Sequence, residues 1–178
     1  RIEAAPLEAG KYSRQFGSLS LRYRIPLFPD IAEAFIEHRT GYSLPASLFY
    51  VPSAPFSGIL IYASGELPVH GENRSALLEP ALFPRIWDSE MNLLFESRMM
   101  DRDDLLKAGP VAYAESLDAE TIAERVGPNP IRILARGVFG LSPTDPIIPR
   151  EDALAIRNSS EGSELLRMGK IMIVIDPE

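Results

Sequence analysis

The pattern of apolar and polar residues along the chain predicts a series of short strands. Residues 18–24 (SLSLRYR) and 131–138 (IRILARGV) alternate apolar and polar side chains, as a strand with one buried face does. Residues 57–63 (SGILIYA) and 171–175 (IMIVI) are almost continuously apolar, which is typical of a strand buried on both faces. We expect the last of these in the middle of a sheet.

The segments between these strands are rich in polar residues, glycine and proline. Residues 82–87 (LFPRIW) and 92–95 (NLLF) flank a polar triplet at 88–90 and predict a hairpin. Residues 64–80 predict a long polar loop, and residues 1–17 predict an irregular arm or a short strand.

Helices are predicted where apolar residues recur every three or four positions. The first begins at Asp30, with Glu33 completing a variant of the capping box, continues through His38 and ends before Gly41. A second begins near Asp101, because carboxylates favour the positive end of the helix dipole. Further short helices are predicted at residues 118–126, 150–158 and 163–168.

The order of these elements predicts an α+β fold: a mixed sheet of about six strands with four or five short helices. Strict alternation of strand and helix is missing, which disfavours a doubly wound fold. The loop that carries Pro45, Pro52 and Pro55 is the predicted internal boundary. Residues 1–45 would then be a strand–helix module, the tail of an N-terminal subdomain, and residues 46–178 the main α+β domain.

Composition narrows the function classes. A net charge of −7 disfavours nucleic acid as a partner, because binding phosphates needs a concentrated basic face. The chain has no cysteine, which excludes disulfides, thiolate metal sites and cysteine nucleophiles. No apolar run approaches the ~18 residues that span a bilayer. No secretory leader is visible, and a start at Arg1 leads us to expect a trimmed or processed chain. The oligomeric state stays open.

The two histidines are the first candidates for chemistry. His38 lies on the apolar face of the predicted first helix, which favours a hydrogen-bonded structural histidine. His70 is followed closely by Glu72, and such a pair could act in acid–base chemistry or form half of a metal site. No third ligand follows at a suitable spacing, so an exposed loop is the favoured interpretation.

Other constellations also lack a catalytic or metal-binding pattern. Counted from Asp101, the glycine and glutamate that a calcium loop requires are replaced by Leu106 and Ala112. Glycine-rich nucleotide motifs and the nucleophile elbow are absent from the sequence. Trp87 and Phe95 are predicted to pack across the hairpin, and Met99 with Met100 to fill the core or form an adaptable contact surface. We therefore predict no catalytic residue, no metal and no cofactor.

Six segments together match one known pattern. They are residues 57–61 (SGILI), 79–86 (EPALFPRI), 125–131 (RVGPNPI), 144–148 (TDPII), 152–156 (DALAI) and 170–175 (KIMIVI). They resemble the domain that follows a strand–helix module in the flagellar-sheath lipoprotein family and its flagellar-assembly (FlgT-like) relatives. One departure is that the relatives continue the first strand as Asp-Ala-Arg-Gly, whereas residues 62–65 here read YASG.

The resemblance implies a periplasmic or outer-membrane-associated bacterial protein that acts by assembly and has no catalytic residues. It implies contact with the membrane only through an N-terminal anchor outside this sequence. The leading hypothesis is a non-enzymatic envelope module that binds flagellar or other envelope proteins. The first alternative is a small-ligand or polysaccharide-binding domain that uses the 64–80 loop and Trp87. The second is an enzyme centred on His70 and Glu72.

Overall fold

The structure is a computed structural model that describes residues 6–44, 55–159 and 161–177. The chain divides into two compact units, Arg1–Glu37 and His38–Glu178. The boundary predicted at residues 45 and 46, with Pro45 and Pro52, lies outside the described residues.

The first unit is built on an antiparallel hairpin of β1 (Leu7–Ser13) and β2 (Ser18–Tyr23). The strand predicted at residues 18–24 is confirmed, but its burial was predicted wrongly: every residue of β2 is exposed. A two-stranded ribbon has no second layer of its own to cover an apolar face.

The helix predicted from Asp30 to His38 is wrong. The chain forms two short helical turns, Leu27–Ile31 and Ala32–Ala34, and is irregular from residue 36 onwards. In the second unit, the carbonyl of Arg39 accepts a hydrogen bond of 2.8 Å from the amide of Arg102. The segment is held by contacts with residues far along the chain, and such tertiary contacts can override local helical periodicity.

The second unit contains ten strands and four α-helices within the described residues. They are β3 (Ile59–Tyr62), β4 (Leu67–Pro68), β5 (Ser75–Ala76), β6 (Ile86–Asp88), β7 (Leu93–Phe95), α1 (Arg102–Ala108), β8 (Ala112–Ala114), α2 (Ala119–Val126), β9 (Ile131–Leu134), β10 (Gly137–Phe139), β11 (Asp145–Ile148), α3 (Arg150–Asn158), α4 (Gly162–Arg167) and β12 (Ile171–Val174).

Four of these strands form a fully parallel sheet in the order β8-β12-β3-β9. The two central strands, β3 and β12, are the continuously apolar runs, and their predicted burial is confirmed. Helix α2 covers one face of the sheet, where Ile122 and Val126 pack with Leu60, Met172 and Val174. This layer forms part of the hydrophobic core.

A second four-stranded sheet has the order β10-β11-β6-β7. The predicted hairpin is confirmed as β6 and β7, which pair in antiparallel fashion. Asp88 is buried in its turn and accepts hydrogen bonds from the amides of Glu90 (2.9 Å) and Asn92 (2.8 Å). The carboxylate therefore fixes the turn.

The single strand predicted at residues 131–138 is wrong, because the segment divides between the two sheets. The amide of Ala135 still bonds to the carbonyl of Tyr62 in the parallel sheet (2.8 Å), whereas the amide of Arg136 bonds to Ile147 in the second sheet (2.7 Å). The α+β class is confirmed. In the part of the chain that the structure describes, the strands form two four-stranded sheets and two two-stranded ribbons rather than one sheet of about six.

Candidate functional site

An open groove lies where the strands of the parallel sheet end. Parallel strands bring their carboxyl ends to the same edge, and ligands of open α/β sheets bind outside that edge. The groove has a volume of about 480 Å³. Its lining includes Tyr62, Leu67, Leu117, Leu134, Arg136 and Val174. We call it the carboxyl-edge groove.

The groove presents apolar side chains to solvent. Leu117 is 59% exposed and Leu134 is 63% exposed. Leu134 lies opposite Tyr62 in the register of β9 and β3. Helix α2 packs over β8, β12 and β3, and leaves Leu134 on the edge strand uncovered.

Several polar groups near the groove are already engaged in holding the surrounding loops. The amide of Gly65 donates a hydrogen bond of 2.6 Å to a carboxylate oxygen of Asp176, which fixes the loop after β3. Asp118 caps α2 by accepting from the amide (2.9 Å) and the hydroxyl (2.8 Å) of Thr121. These hydrogen bonds hold the pKa of Asp118 below its ordinary value.

The charged side chains that line the groove are Glu115 and Arg136. Both are exposed, and within the described residues neither side chain forms a hydrogen bond or an ion pair. The groove lining contains no histidine. The arrangement offers apolar contact and a few polar groups to a ligand or partner.

The structure keeps the two histidines apart from this groove. His38 Nε2 lies 3.0 Å from the carbonyl oxygen of Met100, so the predicted structural hydrogen bond is confirmed, although the residue is not in a helix. His70 is exposed, as predicted. The carboxylate of Glu72 forms an ion pair of 2.5 Å with Arg74. Glu72 is thereby engaged with a cation rather than with His70.

Three aromatic rings form a row on another part of the second unit. The ring of Phe139 stands edge-to-face with Trp87 at 5.8 Å and with His70 at 6.0 Å between centroids. Trp87 therefore packs on β10, and the predicted contact with Phe95 is replaced by pairing of Phe95 with Ile86. The indole N–H of Trp87 donates to a carboxylate oxygen of Asp145 at 3.3 Å.

The acidic cluster at the start of α1 has a structural role. Asp101 accepts hydrogen bonds from the amide of Gly41 (2.6 Å) and from the guanidinium of Arg167 (2.7 Å). These contacts hold its pKa below the ordinary value. Across the described residues, no group of three or more His, Asp or Glu side chains is arranged to hold a metal ion. Met99 and Met100 are buried, so core filling is confirmed for both.

Two of the quoted sequence segments are bonded to each other around Ser57. The Ser57 hydroxyl accepts a hydrogen bond of 3.0 Å from the amide of Asn129, and the Ser57 amide donates one of 2.9 Å to the Asn129 carbonyl. A Cβ atom added to Gly58 would collide with the backbone of Val126. Gly127 has a φ of +76°, which favours glycine. The segments 57–61 and 125–131 thus fit together as one junction.

Arg125 extends this junction to α1. Its guanidinium donates to the carbonyls of Ala108 (2.6 Å) and Gly109 (2.9 Å) at the end of that helix, and to the carbonyl of Ile171 (3.3 Å). Burial lowers the pKa of Arg125. The arginine of the segment therefore satisfies carbonyl groups left unpaired at a helix terminus.

A second pair of quoted segments meets at Asp145. Its carboxylate accepts a hydrogen bond of 3.1 Å from the amide of Arg85, and the amide of Glu79 bonds to the carbonyl of Pro143 at 2.9 Å. Burial raises the pKa of Tyr113 to about 12, and its hydroxyl lies 3.1 Å from the amide of Ala81. Segments 79–86 and 144–148 are therefore held together by the fold. These contacts show that four of the six quoted segments take part in the packing of the fold.

Residues 58–177, which make up about two thirds of the chain, match the family model of the second domain of Treponema pallidum Tp0624. The chain belongs to this bacterial family. No curated protein matches the chain. The flagellar part of the resemblance stays a prediction. Among the helices in the described part of the chain, none is long and apolar enough to cross a membrane.

Proposed function

We propose that this domain is a non-enzymatic module that binds other proteins of the bacterial envelope through its carboxyl-edge groove. The observation that carries the proposal is the exposure of Leu117 and Leu134, at 59% and 63%, in the lining of an open groove. Exposed apolar side chains grouped at a concave surface mark sites of association, because their burial against a partner removes them from water.

The distribution of charge supports binding rather than catalysis. Glu115 and Arg136 stand at the groove without a histidine beside them. His38 is engaged with the Met100 carbonyl, and Glu72 is engaged with Arg74. An acid–base pair needs two titratable groups within reach of one reacting atom, and these contacts favour a structural use of the candidates.

The envelope location is proposed from the sequence segments. Four of the six segments that resemble the flagellar-sheath and flagellar-assembly proteins are the ones that meet in the two junctions at Ser57 and Asp145. The resemblance therefore covers residues that specify the packing of this fold. We propose flagellar or other envelope proteins as partners, and a periplasmic or outer-membrane-associated location.

The test is chemical cross-linking in envelopes of the bacterium that carries the gene, followed by purification of the tagged full-length protein. Wild type is compared with Leu117→Glu and Leu134→Glu. Leu141→Glu is the matched control, because Leu141 is 99% exposed and is not part of the groove lining. We expect a discrete set of envelope partners that both groove variants lose and the control retains. Equal recovery of partners by all four proteins would overturn the proposal.

Polysaccharide binding along the aromatic row is a second candidate function. In this row, Phe139 contacts both Trp87 and His70, which belongs to the 64–80 loop. The carboxylate of Asp145 lies beside Trp87. Aromatic faces next to a carboxylate are suited to sugar rings, which present C–H groups and hydroxyls. Trp87 is the only tryptophan of the chain, so its fluorescence reports on this row alone. A fluorescence change with soluble envelope polysaccharide that Phe139→Leu abolishes would support it, and no change would exclude it.

A further inference from the structure

Among the described residues, strand β9 is a free edge of the parallel sheet. The sheet order places β9 last, beside β3 only. Ile131 and Ala135 direct their amides toward β3, where they bond to the carbonyls of Gly58 (2.9 Å) and Tyr62 (2.8 Å). Arg132 and Leu134 therefore direct their backbone groups away from the sheet. Within the described residues these two positions form no backbone hydrogen bond.

The free edge is accessible to solvent. Arg132 and Leu134 are both exposed, in contrast to the buried Ile133 between them. Proteins avoid leaving such edges long, since an unpaired strand is a template for a further strand. The edge here is shortened by Pro130, which has no amide hydrogen to donate. The unpaired backbone groups that remain are the amides and the carbonyls of Arg132 and Leu134.

The side chains along this edge are basic and apolar. The guanidinium of Arg132 donates to the hydroxyl of Tyr62, a neutral group, and Arg136 lies four residues further along. Within the described residues neither arginine forms a direct ion pair, although the charge of Arg136 acts on Asp152, where it opposes the rise in pKa that burial causes. Between the two arginines, Leu134 presents its apolar side chain at the rim of the groove. This edge carries two arginines in a chain whose net charge is −7.

We infer that β9 binds an extended acidic segment of a partner protein by strand addition, with an apolar side chain of the segment packing on Leu134 at the rim of the carboxyl-edge groove. The inference rests on the proposed function and specifies its binding mode. Main-chain hydrogen bonds to Arg132 and Leu134 fix the register of the added segment along β9. Carboxylates of the segment pair with Arg132 and Arg136. Arg132 and Leu134 lie two residues apart and so face the same side of β9, and the segment meets that side with a carboxylate, an apolar side chain and a carboxylate at every second position.

The test uses a labelled hexapeptide of sequence Glu-Thr-Val-Thr-Glu-Thr, whose glutamates and valine share one face of a strand, with its ends blocked, and fluorescence anisotropy on the full chain. A peptide with lysine in place of glutamate tests charge. A glutamate peptide with N-methyl groups on alternate amides tests main-chain bonding and leaves the protein untouched. Arg132→Glu and Arg136→Glu test the edge, and Arg39→Glu is the matched control at an exposed arginine elsewhere in the second unit.

We expect the glutamate peptide to bind and the lysine and N-methylated peptides to bind at least about tenfold more weakly. Each edge variant should weaken binding by about tenfold, and Arg39→Glu should leave it unchanged. Equal binding of the N-methylated peptide, or no binding of the glutamate peptide, would overturn strand addition. If these tests fail while Leu134→Glu still loses envelope partners, protein binding at the groove stands and only its mode is refuted.

Discussion

The hydroxyl of Ser57 donates a hydrogen bond of 2.7 Å to the backbone carbonyl oxygen of Val126. The same hydroxyl accepts from the amide of Asn129, so one side chain bridges two backbone groups at the end of α2. Val126 is fully buried in the layer between α2 and the parallel sheet. The bridge therefore fixes the position of the end of α2 relative to the start of β3.

Removing this bridge should destabilise the second unit. We expect Ser57→Ala to lower the free energy of unfolding by about 1–2 kcal/mol, because it leaves a carbonyl and an amide without their partner. Urea denaturation of the full chain measures the change. Ser89→Ala, at an exposed serine in the β6–β7 turn, is the control and should change stability by less than about 0.5 kcal/mol. Equal effects of the two substitutions would refute the structural role of Ser57.

Arg125 should be irreplaceable by an apolar side chain of similar length. Arg125→Met leaves the carbonyls of Ala108 and Gly109 without a donor, and we expect it to cost about 2–3 kcal/mol. Lys107→Met, at an exposed position in the last turn of α1, should cost much less. Thermal unfolding monitored by circular dichroism compares the two. A variant Arg125→Met as stable as wild type would contradict the bonding described here.

Acidification should weaken the contact between Gly41 and α1. The amide of Gly41 and then the guanidinium of Arg167 hold the pKa of Asp101 below its ordinary value. A carboxylate whose folded pKa is depressed stabilises the protein above its unfolded pKa, about 3.9, and loses this contribution as pH falls through the folded pKa. We expect Tm to fall as pH is lowered below about 4, and to fall less in Asp101→Asn.

The control for this pH dependence is Asp103→Asn. Asp103 is an exposed carboxylate in the first turn of the same helix, and its substitution preserves the bonds of Asp101. On acidification, the Tm of Asp103→Asn should fall by more than the Tm of Asp101→Asn. Identical pH profiles for the two variants would show that Asp101 is not the group responsible.

The groove leucines should be dispensable for folding. Leu117 and Leu134 are 59% and 63% exposed, so Leu117→Glu and Leu134→Glu should each change the free energy of unfolding by less than about 0.5 kcal/mol. Urea denaturation checks this directly. A loss of several kcal/mol would mean that these leucines are structural, and a loss of partners by these variants would then carry no information on binding.

The elements that the sequence predicts well are those whose signal is local. The runs at residues 59–62 and 171–174 are apolar throughout, so their burial follows from composition alone. Helix α3 spans Arg150–Asn158, the range predicted from helical spacing. Each of these depends on residues within one element, which a single sequence contains.

The pairing of elements was not predictable in the same way. That β3, β8, β9 and β12 are parallel depends on contacts between residues far apart in the chain, and the apolar runs do not specify partners. The carboxyl-edge groove depends on this pairing. The alternating run that contains Leu134 predicted a single strand. In the structure the chain passes from one sheet to the other at Ala135 and Arg136, and Leu134 therefore lies at the rim of the groove.

The most direct test of the account is photo-cross-linking in the living bacterium. A benzophenone amino acid is placed at Leu134 in the full-length protein, and at Leu141 as the matched exposed position outside the groove lining. The account predicts a discrete adduct with another envelope protein from position 134, and a much weaker one or none from position 141. Strong adducts from position 141 with none from 134 would contradict the claim that the carboxyl-edge groove is the protein-binding surface.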